Sequence, residues 1–273
     1  MLLNAKGGVI NIEDTFMEYI SFGNADKTLI MIPGLGDGLK TVKKYAVPFA
    51  MMYREYSKEY TVYVFSRRNN LPKAFSTRAM ANDIVFAMEY LNIEKADVLG
   101  VSQGGMIAQH LAVDYPDKVN KLCLAVTLSK PNETSQKVVS SWIEMANSGD
   151  YKNLFIDTAE KSYSEKYLKK NRWLYPLMSK IGKPKEFNRF IIMANACLTH
   201  NSYDDLEKIK APTLVVGGDD DKIVTAKASK EIAEKISNSQ IHIYEGLGHS
   251  AYEEARDFNL RVLEFLITDY NKD

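Results

Sequence analysis

The chain has 273 residues, 45% of them hydrophobic and 26% charged, with 35 Lys+Arg balanced by 35 Asp+Glu. That length suits one domain, or one domain carrying an insertion, with a sizeable core. A formal net charge of zero gives no global basic field to draw the chain to nucleic acid or an anionic membrane, so no nucleic-acid partner is expected.

Cys123 and Cys197 are far apart and each sits in an apolar run. That reads as two buried thiols, not as a disulfide framework or a metal-ligand spacing. Residues 1–8 hold no basic stretch followed by a long apolar run, and no segment reaches transmembrane length. No membrane insertion is expected, and a cytoplasmic location is the default expectation.

Along the chain, 9–11 and 15–19 read as a hairpin turning near Asp14. Residues 28–32 form a continuous apolar run, as a strand buried on both faces would. Pro33-Gly34-Leu35-Gly36-Asp37-Gly38 follows it, a glycine-rich loop whose backbone can approach a ligand closely. It lacks the G-x-x-x-x-G-K-[ST] signature of a phosphate-binding loop. Residues 61–65 read as a strand, and 66–72, including Arg67 and Arg68, as a polar loop. Ser76 or Thr77 then caps a helix whose inner face is Met80, Ile84, Met88 and Leu91. Residues 96–100 and 121–126 are further strands, and the helix between them stops near Tyr115-Pro116.

From 131 to 206 the pattern is helical only, with Val138, Val139, Trp142 and Met145 on one face. Alternation resumes with a strand at 213–216, a helix opening at Thr225 with Ala228, Ile232, Ala233 and Ile236 inward, a strand at 240–244, and a last helix with Leu260, Leu263, Phe265 and Leu266 inward. Strands alternating with helices predict an α/β fold, a mostly parallel sheet covered by helices on both faces. Residues 1–130 and 207–273 would form its core and 131–206 an inserted helical cap over the carboxyl ends of the strands, where such sheets bind ligands.

One stretch carries chemistry. Gly100-Val101-Ser102-Gln103-Gly104-Gly105 lies between a strand and a helix. G-x-S-x-G in that setting is a sharp turn that lifts the serine hydroxyl clear of the sheet, with glycines where a Cβ would strike a neighbour. Ser102 should be strained, and the helix that follows should aim its N-terminal N–H groups at the site. A serine nucleophile needs a base and the base an orienting carboxylate. Of four histidines, His110, His200 and His242 fall in helical or strand contexts, whereas His249 sits in a glycine-flanked loop after a strand. Asp219, Asp220 and Asp221 follow another strand, and at least two of the three should be solvated or capping residues.

These motifs resemble the α/β-hydrolase fold family with a helical cap, over nearly the whole chain. The family's acid loop commonly ends in the aspartate of G-x-x-D, which Gly218-Asp219-Asp220-Asp221 fits and which favours Asp221. Gly246-Leu247-Gly248-His249-Ser250 is similar to its histidine loop. Where the family often has His-Gly, this chain has Pro33-Gly34. Because the oxyanion donor there is a backbone N–H, that of Leu35, the change should leave the hole intact, with Gln103 N–H as the second donor. The resemblance implies a serine hydrolase acting on a small ester, thioester or lactone through Ser102, Asp221 and His249 and an acyl-enzyme, with no metal or organic cofactor. Two alternatives stand beside it: acyl transfer on the same triad, and a non-catalytic small-molecule binding protein on the same fold. Arg67, Arg68 and the aromatics of 131–206 are open as substrate contacts, although a solvated or salt-bridged loop and the cap's own core are their ordinary roles.

Overall fold

The computed structural model describes residues 2–269. The outer ends of the expected core, Met1 and 270–273, lie outside the described residues. One eight-stranded sheet runs in the order β1-β2-β4-β3-β5-β6-β7-β8. Its strands are β1 Lys6–Ile12, β2 Thr15–Phe22, β3 Lys27–Ile32, β4 Tyr60–Arg68, β5 Ala96–Val101, β6 Val119–Ala125, β7 Thr213–Gly218 and β8 Ser239–Tyr244. The β1–β2 hairpin adds antiparallel to β4, and the rest of the sheet is parallel. This is the mostly parallel α/β fold that the alternation predicts.

The helices are α1 Ala46–Met52, α2 Thr77–Tyr90, α3 Gln103–Asp114, α4 Glu133–Asn147, α5 Tyr151–Ser162, α6 Glu165–Asn171, α7 Tyr175–Met178, α8 Asn188–Leu198, α9 Ala226–Lys235, α10 Ala251–Glu254 and α11 Phe258–Ile267. Ser76 caps α2 by accepting from Ala79 N at 3.1 Å, and Pro116 stops α3, whose last residue is Asp114. The stretch expected to be helical over 131–206 contains α4 to α8.

The apolar runs are continuous because each central strand feeds two cores. Ile30, Ile32, Val98, Leu122, Leu124 and Val215 face one core with α2, α3 and α9. The alternate residues Leu29, Met31, Leu99, Cys123, Leu214 and Val216 face the other, with α1 and α11. Parallel pairing then sets the upper edge. Ile32 is level with Gly100, Val101 with Ala125, Ala125 with Val216 and Val216 with His242. The loops after β3, β5, β7 and β8 therefore leave the same edge of the sheet within a few residues of one another.

Two expectations need correction. Arg67 and Arg68 belong to β4, not to a polar loop, and are buried at 3% and 8% exposure. The strand extends because Arg68 pairs with Met17 of β2, and its guanidinium finds Asp83 and Glu13. Leu260 is exposed, and Phe258 and Val262 take the inward positions of α11 beside Phe265 and Leu266. Helix α1 has no counterpart in the sequence reading, being short and carrying Pro48 at its third position.

The tightest backbone approach lies under the elbow. A Cβ on Gly104 would stand 1.8 Å from the carbonyl oxygen of Ile32, and one on Gly100 would stand 2.5 Å from that of Gly104. Both neighbours are backbone, so nothing flexible can give way. Gly104→Ala is expected to destabilise the fold by at least about 3 kcal/mol. An unchanged urea midpoint would show that α3 and β3 are not packed this closely.

Candidate active site

Ser102 links β5 to α3 with φ 53° and ψ −120°, a backbone region that a residue bearing a Cβ rarely adopts. Neighbouring groups hold it there. Its N–H donates to Ala125 O at 2.9 Å, and its carbonyl accepts from Thr127 Oγ1 at 2.7 Å. The strain predicted for this position is present.

Three side chains from three loops meet in one hydrogen-bonded line. Ser102 Oγ lies 2.9 Å from His249 Nε2, and His249 Nδ1 lies 2.8 Å from Asp221 Oδ2. A carboxylate only accepts, so the ring carries a proton on Nδ1 and leaves Nε2 to accept from the serine hydroxyl. The other carboxylate oxygen of Asp221 accepts from Ile223 N at 2.8 Å and Val224 N at 2.9 Å. Burial works against the charge on Asp221, but His249 and these two N–H groups outweigh it and hold the carboxyl below its ordinary range.

The run of three aspartates is thereby divided. Asp219 accepts from Gly246 N at 2.7 Å and ties the acid loop to the histidine loop. Asp220 faces Lys222 at 3.3 Å on the surface. Only Asp221 of the three is buried and reaches His249.

Leu35 and Gln103 flank the serine. Each is the first residue of a helical segment, Leu35–Gly38 and α3, so neither N–H can be taken by its own helix. The loop bearing Leu35 packs directly on the serine: a Cβ on Gly34 would stand 3.2 Å from Ser102 Cβ. Two backbone donors beside one hydroxyl, with the amino end of a 12-residue helix behind it, suit a developing anion.

Beneath this loop lies a polar network that sequence reasoning missed. The guanidinium of Arg67 donates to Pro33 O and to Gln103 Oε1. Arg67 N donates to Asp37 Oδ2 at 2.9 Å. Arg189 of α8 donates to the same Asp37 oxygen at 2.7 Å and to Arg67 O at 2.9 Å. Gln103 Nε2 donates to Met193 O at 2.6 Å, also on α8. Burial pulls the Arg67 guanidinium down to about 10, which still leaves it cationic at neutral pH. The sequence reads Arg67 as a solvated or salt-bridged loop residue that could also meet substrate, and nothing in it marks Arg189, because their partners lie 30 to 152 positions away.

Helices α4 and α8, from the stretch 131–206, line the approach to the half-buried Ser102. Val139 and Trp142 of α4, Cys197 and Leu198 of α8, and Leu35, Met106 and Val224 of the core enclose a cavity of about 30 Å³ against Ser102. Such a volume suits one water-sized group. Of the aromatics in the insertion, Trp142 lines this cavity. Its Nε1 donates to Asp157 at 2.7 Å, whereas Phe155 and Tyr175 pack on one another within the insertion. Burial pushes the Cys197 thiol up to about 12 and that of Cys123 well above its usual value, so neither is a thiolate at neutral pH.

The other histidines lie elsewhere. His242 packs edge-on to Tyr244 at 4.5 Å. His110 and His200 pack edge-on at 5.0 Å, and His200 is held by Thr77 at 2.9 Å. Burial lowers His110 to about 4 and His200 to about 3.

The sequence model of the alpha/beta hydrolase fold matches residues 27–256. A 2-hydroxy-6-oxononadienedioate/2-hydroxy-6-oxononatrienedioate hydrolase of a Pseudomonas species is 24% identical over 262 residues, 89% of each chain. The 3-oxoadipate enol-lactonase 2 of Acinetobacter baylyi is 20% identical over 259 residues, covering 93% of this chain and 94% of that one. Among solved structures, the enol-lactonase of Burkholderia xenovorans superposes with a TM-score of 0.82 at 18% identity, over 96% of this chain and all of that one.

The buried histidine pair generates a prediction about acid stability. Unfolded, both rings titrate near 6.5; folded, they bind protons only far lower. Between pH 6.5 and about 4 the unfolded chain therefore binds more protons. Stability from this pair is full above pH 6.5 and falls as pH drops. Urea midpoints measured from pH 7 to pH 5 should decline, and the decline should be shallower in His200→Gln. Equal slopes would remove the pair from that role.

Proposed function

The chain belongs to the alpha/beta hydrolase fold family, and on that premise we propose that it is a serine hydrolase cleaving a carboxylic ester, thioester or lactone through an acyl-enzyme. The observation that carries this reading is the unbroken line from Ser102 Oγ through His249 to the buried Asp221, at 2.9 and 2.8 Å. A binding protein would have no need of a strained serine aligned with a base and a desolvated acid.

In the proposed reaction, Ser102 Oγ attacks the substrate carbonyl as His249 Nε2 takes the hydroxyl proton. Asp221 accepts from Nδ1–H and stabilises the imidazolium that forms. The carbonyl oxygen becomes an oxyanion between the N–H groups of Leu35 and Gln103. Collapse expels the alcohol or thiol, which leaves with the proton from His249, and the acyl group remains on Ser102. Water then gives a proton to His249 and attacks the acyl carbon. A second collapse returns that proton to Ser102 and frees the acid. Every step uses this chain's own groups, with no metal or cofactor. The helices over residues 131–206 act as a cap whose apolar inner face, including Trp142, Val139 and Leu198, receives the uncharged part of the substrate. The relatives' names include a lactonase and a dienedioate hydrolase, which supports a carbonyl substrate without selecting one.

Turnover of p-nitrophenyl esters of increasing acyl length tests the proposal. Ser102→Ala and His249→Ala should each lower kcat/KM by about 10⁴-fold or more, and Asp221→Asn by about 10⁴-fold. Asp219→Asn and Asp220→Asn should stay near wild type. Ester turnover that survives Ser102→Ala, or a Ser102 that fails to react with a fluorophosphonate, would sink the serine mechanism.

A further inference from the structure

The net charge of zero averages over a segregated distribution. Between Lys166 and Lys185 the chain carries seven lysines and arginines and not one carboxylate. Arg172 is neutralised by Glu160 at 2.6 and 2.7 Å. The six lysines are exposed, and no ion pair engages any of them among the described residues. Nearby acids are engaged by other groups: Glu253 accepts from Tyr163, Glu254 from Ser164, and Asp157 from Trp142.

The same segment exposes its largest apolar side chains. Trp173 is 75% exposed, Ile181 71%, Leu177 59% and Met178 45%. The indole N–H of Trp173 is spent on Lys170 O at 3.0 Å, so the ring offers an apolar face with its polar atom satisfied. Exposed Trp, Leu, Met and Ile ringed by uncompensated lysines are what an anionic lipid interface accommodates: rings and methyls at the headgroup boundary, ammonium groups on phosphates. A second copy of the chain fits poorly, because a two-fold contact would set this cationic patch against itself. The segment starts beside the site, since Ser250 N, next to His249, donates to Ser162 O at 2.8 Å.

We infer that the face formed by α6, α7 and the loop through Ile181 docks on anionic lipid surfaces. This is independent of the chemistry proposed for Ser102, and Ser102→Ala should dock as wild type does.

The chain has two tryptophans, and Trp142 is buried, so the exposed Trp173 is an intrinsic probe. The full chain, mixed with phosphatidylcholine vesicles containing phosphatidylglycerol, should co-sediment and shift its emission to the blue. Trp173→Phe should abolish the shift while keeping the binding. Each of Lys169→Glu, Lys170→Glu and Lys183→Glu should weaken partitioning by about fivefold or more, and Leu177→Ser with Ile181→Ser should abolish it. Three outcomes would overturn the inference: no co-sedimentation, equal binding to pure phosphatidylcholine with no salt dependence, or binding without a change at Trp173. Self-association removed by Trp173→Ala, with no vesicle binding, would instead assign the face to a second copy.

Discussion

The arrangement depends on a backbone contact in which there is no room for a side chain. The start of α3 presses on the end of β3 so closely that a methyl at Gly104 would overlap the carbonyl of Ile32. That approach puts the turn between β5 and α3 into the sharp form seen at Ser102. The positive φ of Ser102 is unfavourable for an isolated residue and persists because Ala125 O and Thr127 Oγ1 fix both of its peptide groups. The result is a hydroxyl raised above the sheet edge and an N-terminal turn of helix directly behind it. Both properties follow from packing rather than from the chemistry of serine.

A second constraint is electrostatic. Asp37, Arg67 and Arg189 share one buried oxygen and are joined to Pro33 and Gln103. Breaking one partner of such a cluster leaves an uncompensated charge in low dielectric, typically a loss of about 3–5 kcal/mol. The network has a directional consequence. Arg189 and Met193 belong to α8, whereas Asp37 and Gln103 belong to the two loops that carry the candidate oxyanion donors. The helical insertion and the donor loops are thus held by the same groups, and displacement of α8 to enlarge the small cavity would be felt at Leu35 and Gln103. Substrate entry and oxyanion geometry are mechanically linked in this proposal.

The two faces of the insertion differ in kind. Its inner face is apolar and closes on Ser102 through Val139, Trp142 and Leu198. Its outer segment, from α6 to Ile181, combines exposed apolar side chains with unneutralised lysines. A cap needs the first property to exclude water. The second contributes nothing to folding, since Trp173 and Ile181 bury little of their surface, and it is the feature that calls for a partner outside the chain.

The strand–helix alternation, the apolar runs of β3, β5, β6 and β7, and the glycine-flanked serine and histidine loops were legible because they are local. Period-two burial on both faces of a parallel sheet writes an unbroken apolar run, and a positive-φ turn between strand and helix demands small neighbours at fixed spacing. Asp221 was singled out only through a resemblance; its burial and its bond to His249 come from the pairing of β7 with β8, which no local pattern encodes. Arg67 looked like part of a solvated loop because charged residues after a strand usually are. The antiparallel addition of β2 and the packing of α8 on the sheet edge bury it, with partners 30 or more residues away in Asp37, Gln103 and Arg189. Local sterics and hydrophobic periodicity are written in consecutive residues and can be read there. Which charges become neighbours is decided by chain topology, so the network beneath the loop of Leu35 belongs to the tertiary structure alone, whereas the cationic run from Lys166 to Lys185 is written in the sequence and only the exposure of its apolar side chains is decided by the fold.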